Sequence, residues 1–184
     1  MDRTVPIKDG RTVTVRDVQA TDAGLFMTFF DGLSAHSRSF MRGWGAVPAA
    51  RCDREHAARI AANVSSDNYY GLVAVASSPS GERIVGYSWV DGVRGPDIPM
   101  LGIGVADEYH EVGLGRALLR LMADEARRRG LDKLKLGVFT HNTRAIHVYE
   151  LVGFRVDPAI PPQQFDGQTE IYMVLQTGVE GTGG

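Results

Sequence analysis

Three apolar runs of strand length follow one another with no helix between them: GLVAVA at 71–76, RIVGYSWV at 83–90 and IPMLGIGV at 98–105. Their connections, SSPSGE and DGVRGPD, are rich in the Ser, Pro, Gly and Asp that turns require. Consecutive strands exclude a sheet in which every strand is followed by a helix. They favour a mixed α/β fold, with helices laid on the faces of a mixed sheet.

The rest of the chain fits that frame. RTVTVR at 11–16 alternates as a strand does. Leu25, Phe26, Phe29, Phe30 and Leu33 recur at helical spacing behind Thr21 and Asp22, either of which can cap a helix. A second helix is expected after Asp53, with Ala57, Ile60, Ala61 and Val64 on one face. The stretch 34–52 between them has no period and reads mostly as loop, with room for some helix. From Leu114 the pattern is helical again, through Ala117, Leu118, Leu121 and Met122, and Arg127 to Arg129 with Gly130 suit its C-terminal end. LKLGVF at 134–139 predicts a strand, Asn142 caps a short helix ending at Gly153, and EIYMVLQ at 170–176 closes the sheet. One domain over 1–176 is expected, followed by a disordered tail at 177–184.

Composition removes several function classes. Twenty basic residues against 22 acidic ones leave a net charge of -2, which gives no electrostatic reason to bind nucleic acid or an anionic membrane. The first thirty residues lack a continuous apolar core and no later run is long enough to span a bilayer, so a soluble, cytoplasmic protein is expected. Cys52 is the only cysteine and reads as structural. His36, His56, His110, His141 and His147 show no metal-ligand spacing, and no metal is expected. Oligomeric state is open, a homodimer included.

The chemistry concentrates in HEVGLGRALL, residues 110–119. The leading N–H groups of a helix have no partner within it and carry the positive end of its dipole, so a strand-turn-helix junction can seat an anion. Glycines at 113 and 115 would let a phosphate reach the backbone, although a tight turn alone would also explain them. More specific motifs fail on spacing. Leu118 stands where a dinucleotide fingerprint needs glycine or alanine, Arg116 and Ala117 stand where a P-loop needs Lys-Ser/Thr, and Leu114 stands where a zinc-protease helix needs its second histidine.

The run IGVADEYHEVGLGRALL resembles the acyl-CoA-binding signature of the GNAT N-acyltransferase superfamily, Gln/Arg-x-x-Gly-x-Gly/Ala after an apolar strand, with His110 in place of the usual Gln or Arg. NTRAIHVYELVGF at 142–154 matches the family's Asn-x-x-Ala-x-x-x-Tyr-x-x-x-Gly-Phe pattern at every specified position. The early segment DGRTVTVRDVQATDAG…LSAHSRSF is similar to bacterial protein-lysine acetyltransferase modules. The resemblance covers roughly residues 10–176 and implies a GNAT-type fold, with a mostly antiparallel mixed sheet flanked by helices on both faces.

It further implies acetyl-CoA as co-substrate and an amine as acceptor. The backbone of His110, Glu111, Val112, Gly113, Leu114, Gly115 and Arg116 would then hold the pyrophosphate, and that of Ile103, Gly104 and Val105 would pair with the pantetheine arm. Asn142 would touch the cofactor arm or serve only as a cap. Tyr149 would touch the cofactor and protonate the departing sulfur, or serve only as a core aromatic. The family's glutamate base falls at Met100, which cannot accept a proton, leaving Asp91, Asp97 or Glu170 acting through water, an acceptor of lower pKa, or a chain that no longer catalyses. A primary amine with a pKa near ~10.4 must lose a proton before it attacks a thioester. The acceptor itself would be set by residues 24–63 and the 91–97 loop, where His36, Arg38, Trp44 and the acidic residues suggest only mixed polarity. A non-catalytic acetyl-CoA sensor and a partner-binding module are the readings from other classes.

Overall fold

The computed structural model describes residues 2–40, 54–63, 66–78 and 81–178; Trp44, Cys52, Asp53, Val64 and everything after 178 lie outside the described residues. In chain order the elements are β1 (Arg3–Pro6), β2 (Thr12–Asp17), α1 (Ala23–Gly32), α2 (Ala35–Ser39), α3 (Arg54–Ala62), β3 (Tyr69–Ser78), β4 (Gly81–Asp91), β5 (Met100–Val105), α4 (Leu114–Arg128), β6 (Lys133–Phe139), α5 (Thr143–Val152), β7 (Arg155–Val156), β8 (Gln163–Phe165) and β9 (Gln168–Gln176). The strands form a nine-stranded sheet in the order β1-β2-β3-β4-β5-β6-β9-β7, with β8 beside β9. Every pairing is antiparallel except that of β5 with β6.

Both faces are covered by helices. On one, α4 places Leu119, Met122 and Ala126 against Leu101, Leu134, Leu136, Val138 and Met173, and α5 adds Ile146 and Val148. On the other, α1 and α3 bury Phe26, Phe29, Ala57 and Ile60 against Val73, Val75, Ile84 and Tyr87. Alternation along β5 and β6 therefore sends odd-numbered β5 residues and even-numbered β6 residues toward α4 and α5, and Met100, Gly102, Lys135 and Gly137 to the opposite face.

Three expectations change, and a fourth, room for some helix in 34–52, is met. Asp22 does not cap α1: its side chain makes no cap bond and instead takes both Arg16 guanidinium donors at 2.8 and 2.9 Å and the Gln19 N–H at 2.8 Å. A buried arginine needs a full charge beside it, so this partner outcompetes the helix end. The tail does not begin at 177, since Thr177 is buried and its N–H donates to the Asp132 carbonyl at 2.8 Å. β1, β7 and β8 had no counterpart in the sequence reading. Part of the 34–52 stretch is helical, with Ser34 capping α2 by accepting from the Ser37 N–H. No described helix is long and apolar enough to cross a membrane.

Candidate active site

The sheet opens between β5 and β6. The two strands are joined in parallel only at Met100 and Lys135, where the Lys135 N–H donates to the Pro99 carbonyl at 2.9 Å, and they separate beyond it. On its other edge β5 stays paired with β4 as far as Val105. The Ala106 N–H donates to the Val85 carbonyl, which fixes the phase of this ladder. Even-numbered residues of β5 bond to β4, and odd-numbered ones turn N–H and C=O toward the opening. Ile103 and Val105 thus present backbone groups to the gap. Gly104 does not: its N–H and C=O face Tyr87 on β4, contrary to the expectation that all of 103–105 is exposed.

His110 uses this edge. Its Nε2–H donates to the Val105 carbonyl at 2.9 Å, in the tautomer protonated at Nε2, while its backbone N–H donates to the Asp107 carbonyl. The histidine side chain is therefore occupied in closing one end of the strand edge. The Val105 N–H and both Ile103 groups take no partner among the described residues.

The turn that follows leaves a run of N–H groups free among the described residues. Glu111 and Gly113 adopt left-handed φ values of 63° and 89°, and α4 begins at once with Leu114. Successive N–H groups in such a turn, continued by the free N–H groups of a helix start, converge on one concave surface. Among the described residues no acceptor takes the N–H groups of 111–116. A Cβ on Gly115 would meet nothing nearer than Val105 Cγ2 at 3.8 Å, so the space above it is open.

This surface and the strand edge share one cavity of about 360 Å³, lined by Ile103, Gly104, Val105, His110, Glu111, Gly113, Gly115, Arg116, Asn142 and Tyr149 among the residues expected from the sequence. Val112 and Leu114 do not line it. The Val112 carbonyl accepts from the Lys8 N–H at 2.9 Å, and Leu114 is fully buried in the core, so each brings only its N–H to the turn. Asn142 Oδ1 accepts from the Ala145 N–H at 3.3 Å, which makes it a helix cap as well as part of the wall. Tyr149 is part-buried, packs its ring near Phe154 and lines the cavity; burial pushes its hydroxyl up to about 12.

The sequence reading missed Lys8, Ser37, Phe40, Tyr109, Leu119, Arg144, Ala145, His147, Val148 and Leu151, which also line the cavity. Arg144, Val148 and Leu151 recur at i, i+4 and i+7 along α5 and were within reach of a periodicity argument. Lys8 was not, because the β1–β2 hairpin is carried to the turn only by the sheet. Lys8, Arg116 and Arg144 set positive charge around the free N–H groups.

A second contact ties α2 to the same turn. Asp107 accepts from the Ser34 N–H at 2.9 Å and from the Ser34 and Ser37 hydroxyls at 2.7 Å each. Desolvation alone would raise this carboxyl, but those bonds, with His110 nearby, hold it down at about 2. Arg38 is occupied locally, donating to the carbonyls of Leu33 and Asp31 at 2.9 and 2.7 Å. His36 packs edge-on against Phe40, whose ring lies near that of His141. Of the carboxylates considered as bases, Asp97 is exposed in the 92–99 loop, Asp91 ends β4 opposite Met100, and Glu170 is part-buried beside Gly137.

A mixed sheet that opens at one parallel pair, with a turn of unpartnered N–H groups at the mouth, agrees with the family that the comparisons find. The model of the Acetyltransferase (GNAT) family matches residues 35–154, and the chain belongs to that family. Over 77 residues it is 38% identical to the mycothiol acetyltransferase of Thermobispora bispora, a match spanning 39% of this chain and 26% of that protein. Over 55 residues it is 44% identical to the [ribosomal protein bS18]-alanine N-acetyltransferase of Escherichia coli, spanning 30% of this chain and 37% of that one. These matches thus span well under half of either relative. In fold the chain is similar to the GNAT domain of S. lividans PAT, with a TM-score of 0.74, 23% identity and coverage of 95% and 97% of the two chains. It is also similar to yncA, a Salmonella typhimurium structure with its cofactor acetyl-CoA, with a TM-score of 0.70, 22% identity and coverage of 91% and 95%.

Proposed function

We propose that the protein is an N-acetyltransferase that moves an acetyl group from acetyl-CoA directly to a primary amine. One observation carries this reading: the turn with unpartnered N–H groups at 111–116, the free edge of β5 and Tyr149 border the same cavity. Bound there, acetyl-CoA would supply an activated acetyl thioester. The residues fit its shape and charge. The N–H groups from Glu111 to Arg116 hold the pyrophosphate, Lys8, Arg116 and Arg144 offset its charge, and Ile103 and Val105 pair with the amide-bearing arm as an added strand would. Gly115 leaves the approach clear.

The chain's own groups then manage protons. With its hydroxyl held up to about 12, Tyr149 keeps its proton throughout the neutral range and can give it to a departing sulfur. The unpartnered N–H groups on the strand edge would serve as donors to the reacting carbonyl of a bound acetyl-CoA. A primary amine as acceptor is supported by the alanine N-acetyltransferase among the relatives, and acetyl-CoA by the yncA structure. The test is release of CoA from acetyl-CoA in the presence of spermidine, a peptide beginning with alanine, or a lysine peptide. Amine-dependent release is expected with at least one; CoA-induced thermal stabilisation without release from any amine would leave a sensor instead.

A further inference from the structure

Two glycines lie at the same level across the opening between β5 and β6. Counting from the Met100–Lys135 pair, Gly102 and Gly137 each stand two residues further on, both on the face away from α4 and α5. Each is roofed by a side chain from its neighbouring strand. A Cβ on Gly102 would lie 2.3 Å from Trp89 Cε2, and one on Gly137 would lie 2.8 Å from Glu170 Cδ and Oε1. The floor of the opening is therefore bare backbone, with an indole over one side and a carboxylate over the other. Tyr149 stands on the reverse face, packed with the α4 and α5 core.

We propose that Glu170 is the catalytic carboxylate that accepts the proton of the incoming amine, in the place where Met100 offers none. This rests on the acetyltransferase reading above. The other carboxylates are less well placed. Asp91 sits opposite Met100, before the strands part, and its Oδ1 accepts from the Gly92 N–H at 2.8 Å, holding a turn. Asp97 is exposed in a loop. Glu170 is oriented by the Tyr172 hydroxyl, which donates to Oε2 at 3.2 Å, while Oε1 takes no hydrogen bond among the described residues. It is Oε1 that lies over Gly137.

The transfer balances with these groups. One ammonium proton passes to Glu170 and on to solvent, and the freed nitrogen pair forms the N–C bond. The C–S pair leaves with sulfur, which takes the Tyr149 proton, and the second nitrogen proton returns to Tyr149 through water. Because Glu170 works on the ammonium, its value depends on how basic the acceptor is.

Glu170→Gln keeps the shape of the side chain and removes the proton acceptor. With a lysine-like amine, kcat/KM is expected to fall roughly 10²-fold, the lower end of what a positioned base contributes, with the CoA-induced melting shift unchanged. With trifluoroethylamine, a weakly basic amine mostly neutral at the assay pH, the deficit should shrink at least tenfold. A deficit of equal size with both amines makes Glu170 a structural residue and overturns the proposal, as does a variant within threefold of the wild type. Failure of the parent reading looks different: a wild type that binds CoA and acetylates no amine removes the reaction and the role of Glu170 with it.

Discussion

Replacing Gly115 with valine isolates the anion seat from the fold. Gly115 lies in the first turn of α4 with no left-handed φ, and its Cβ position has only Val105 Cγ2 at 3.8 Å. Glycine in a helix is about 1 kcal/mol worse than alanine, and valine recovers part of that, so the unliganded variant should be as stable as the wild type or slightly more so. The added methyl groups stand in the open space next to the free N–H groups and should keep a phosphate out. At a concentration 100 times its Kd, CoA stabilises the wild type by about 2.7 kcal/mol, which for a chain of this size is a melting shift of roughly 5–11 °C. A 100-fold weaker Kd leaves about 0.4 kcal/mol at the same concentration, a shift of roughly 1–2 °C. Gly113 is the wrong position for this test, because its φ of 89° strains any side chain and Gly113→Ala should cost about 1–2 kcal/mol of stability without ligand. Thermal melts of the wild type and Gly115→Val with and without CoA decide the matter. A full wild-type shift in Gly115→Val would refute the seat at 111–116.

Tyr149→Phe retains the ring against Phe154 and should leave folding and CoA affinity intact while lowering the single-turnover transfer rate roughly 10²-fold; an unchanged rate would make Tyr149 a packing residue only. Asp22→Asn leaves the Arg16 guanidinium, 7% exposed, beside a neutral partner and should cost about 3 kcal/mol in urea unfolding, against under 1 kcal/mol if the pair behaves as a surface bridge. The Asp107 carboxyl is held at about 2, below its ordinary 3.8, so the stability from its Ser34 and Ser37 bonds is complete above about pH 4 and is lost as pH falls through 2. Asp107→Asn should lose about 1 kcal/mol at pH 7 and flatten that part of the acid melting curve; a curve parallel to the wild type would show that the bonds contribute nothing.

Local signals carried much of the fold. The three consecutive apolar runs became β3, β4 and β5, the glycine turn and its apolar period became α4, and Asn142 with Gly153 bounded α5 as read. What stayed hidden depends on partners distant in sequence. β7 and β8 are two and three residues long and exist because β9 offers them an edge; β1 carries Pro6 at its end and is held by β2. Asp22, like Thr21, is locally a candidate helix cap, and only the fold brings Arg16 to it. The site divides in the same way. Its contiguous turn at 110–116 was legible, but the phase that turns Gly104 away from the gap follows from the β4 ladder. Lys8 reaches the turn from the first hairpin, and the nearness of Glu170 to Gly137 is a cross-strand relation between residues far apart in the chain.

A rapid-quench single turnover with acetyl-labelled acetyl-CoA and an accepted amine tests direct transfer most plainly. The label should pass to the amine nitrogen in one-to-one proportion with released CoA, with no labelled protein at any time. Label trapped on the protein, or CoA released with free acetate and no acetylated amine, would contradict it.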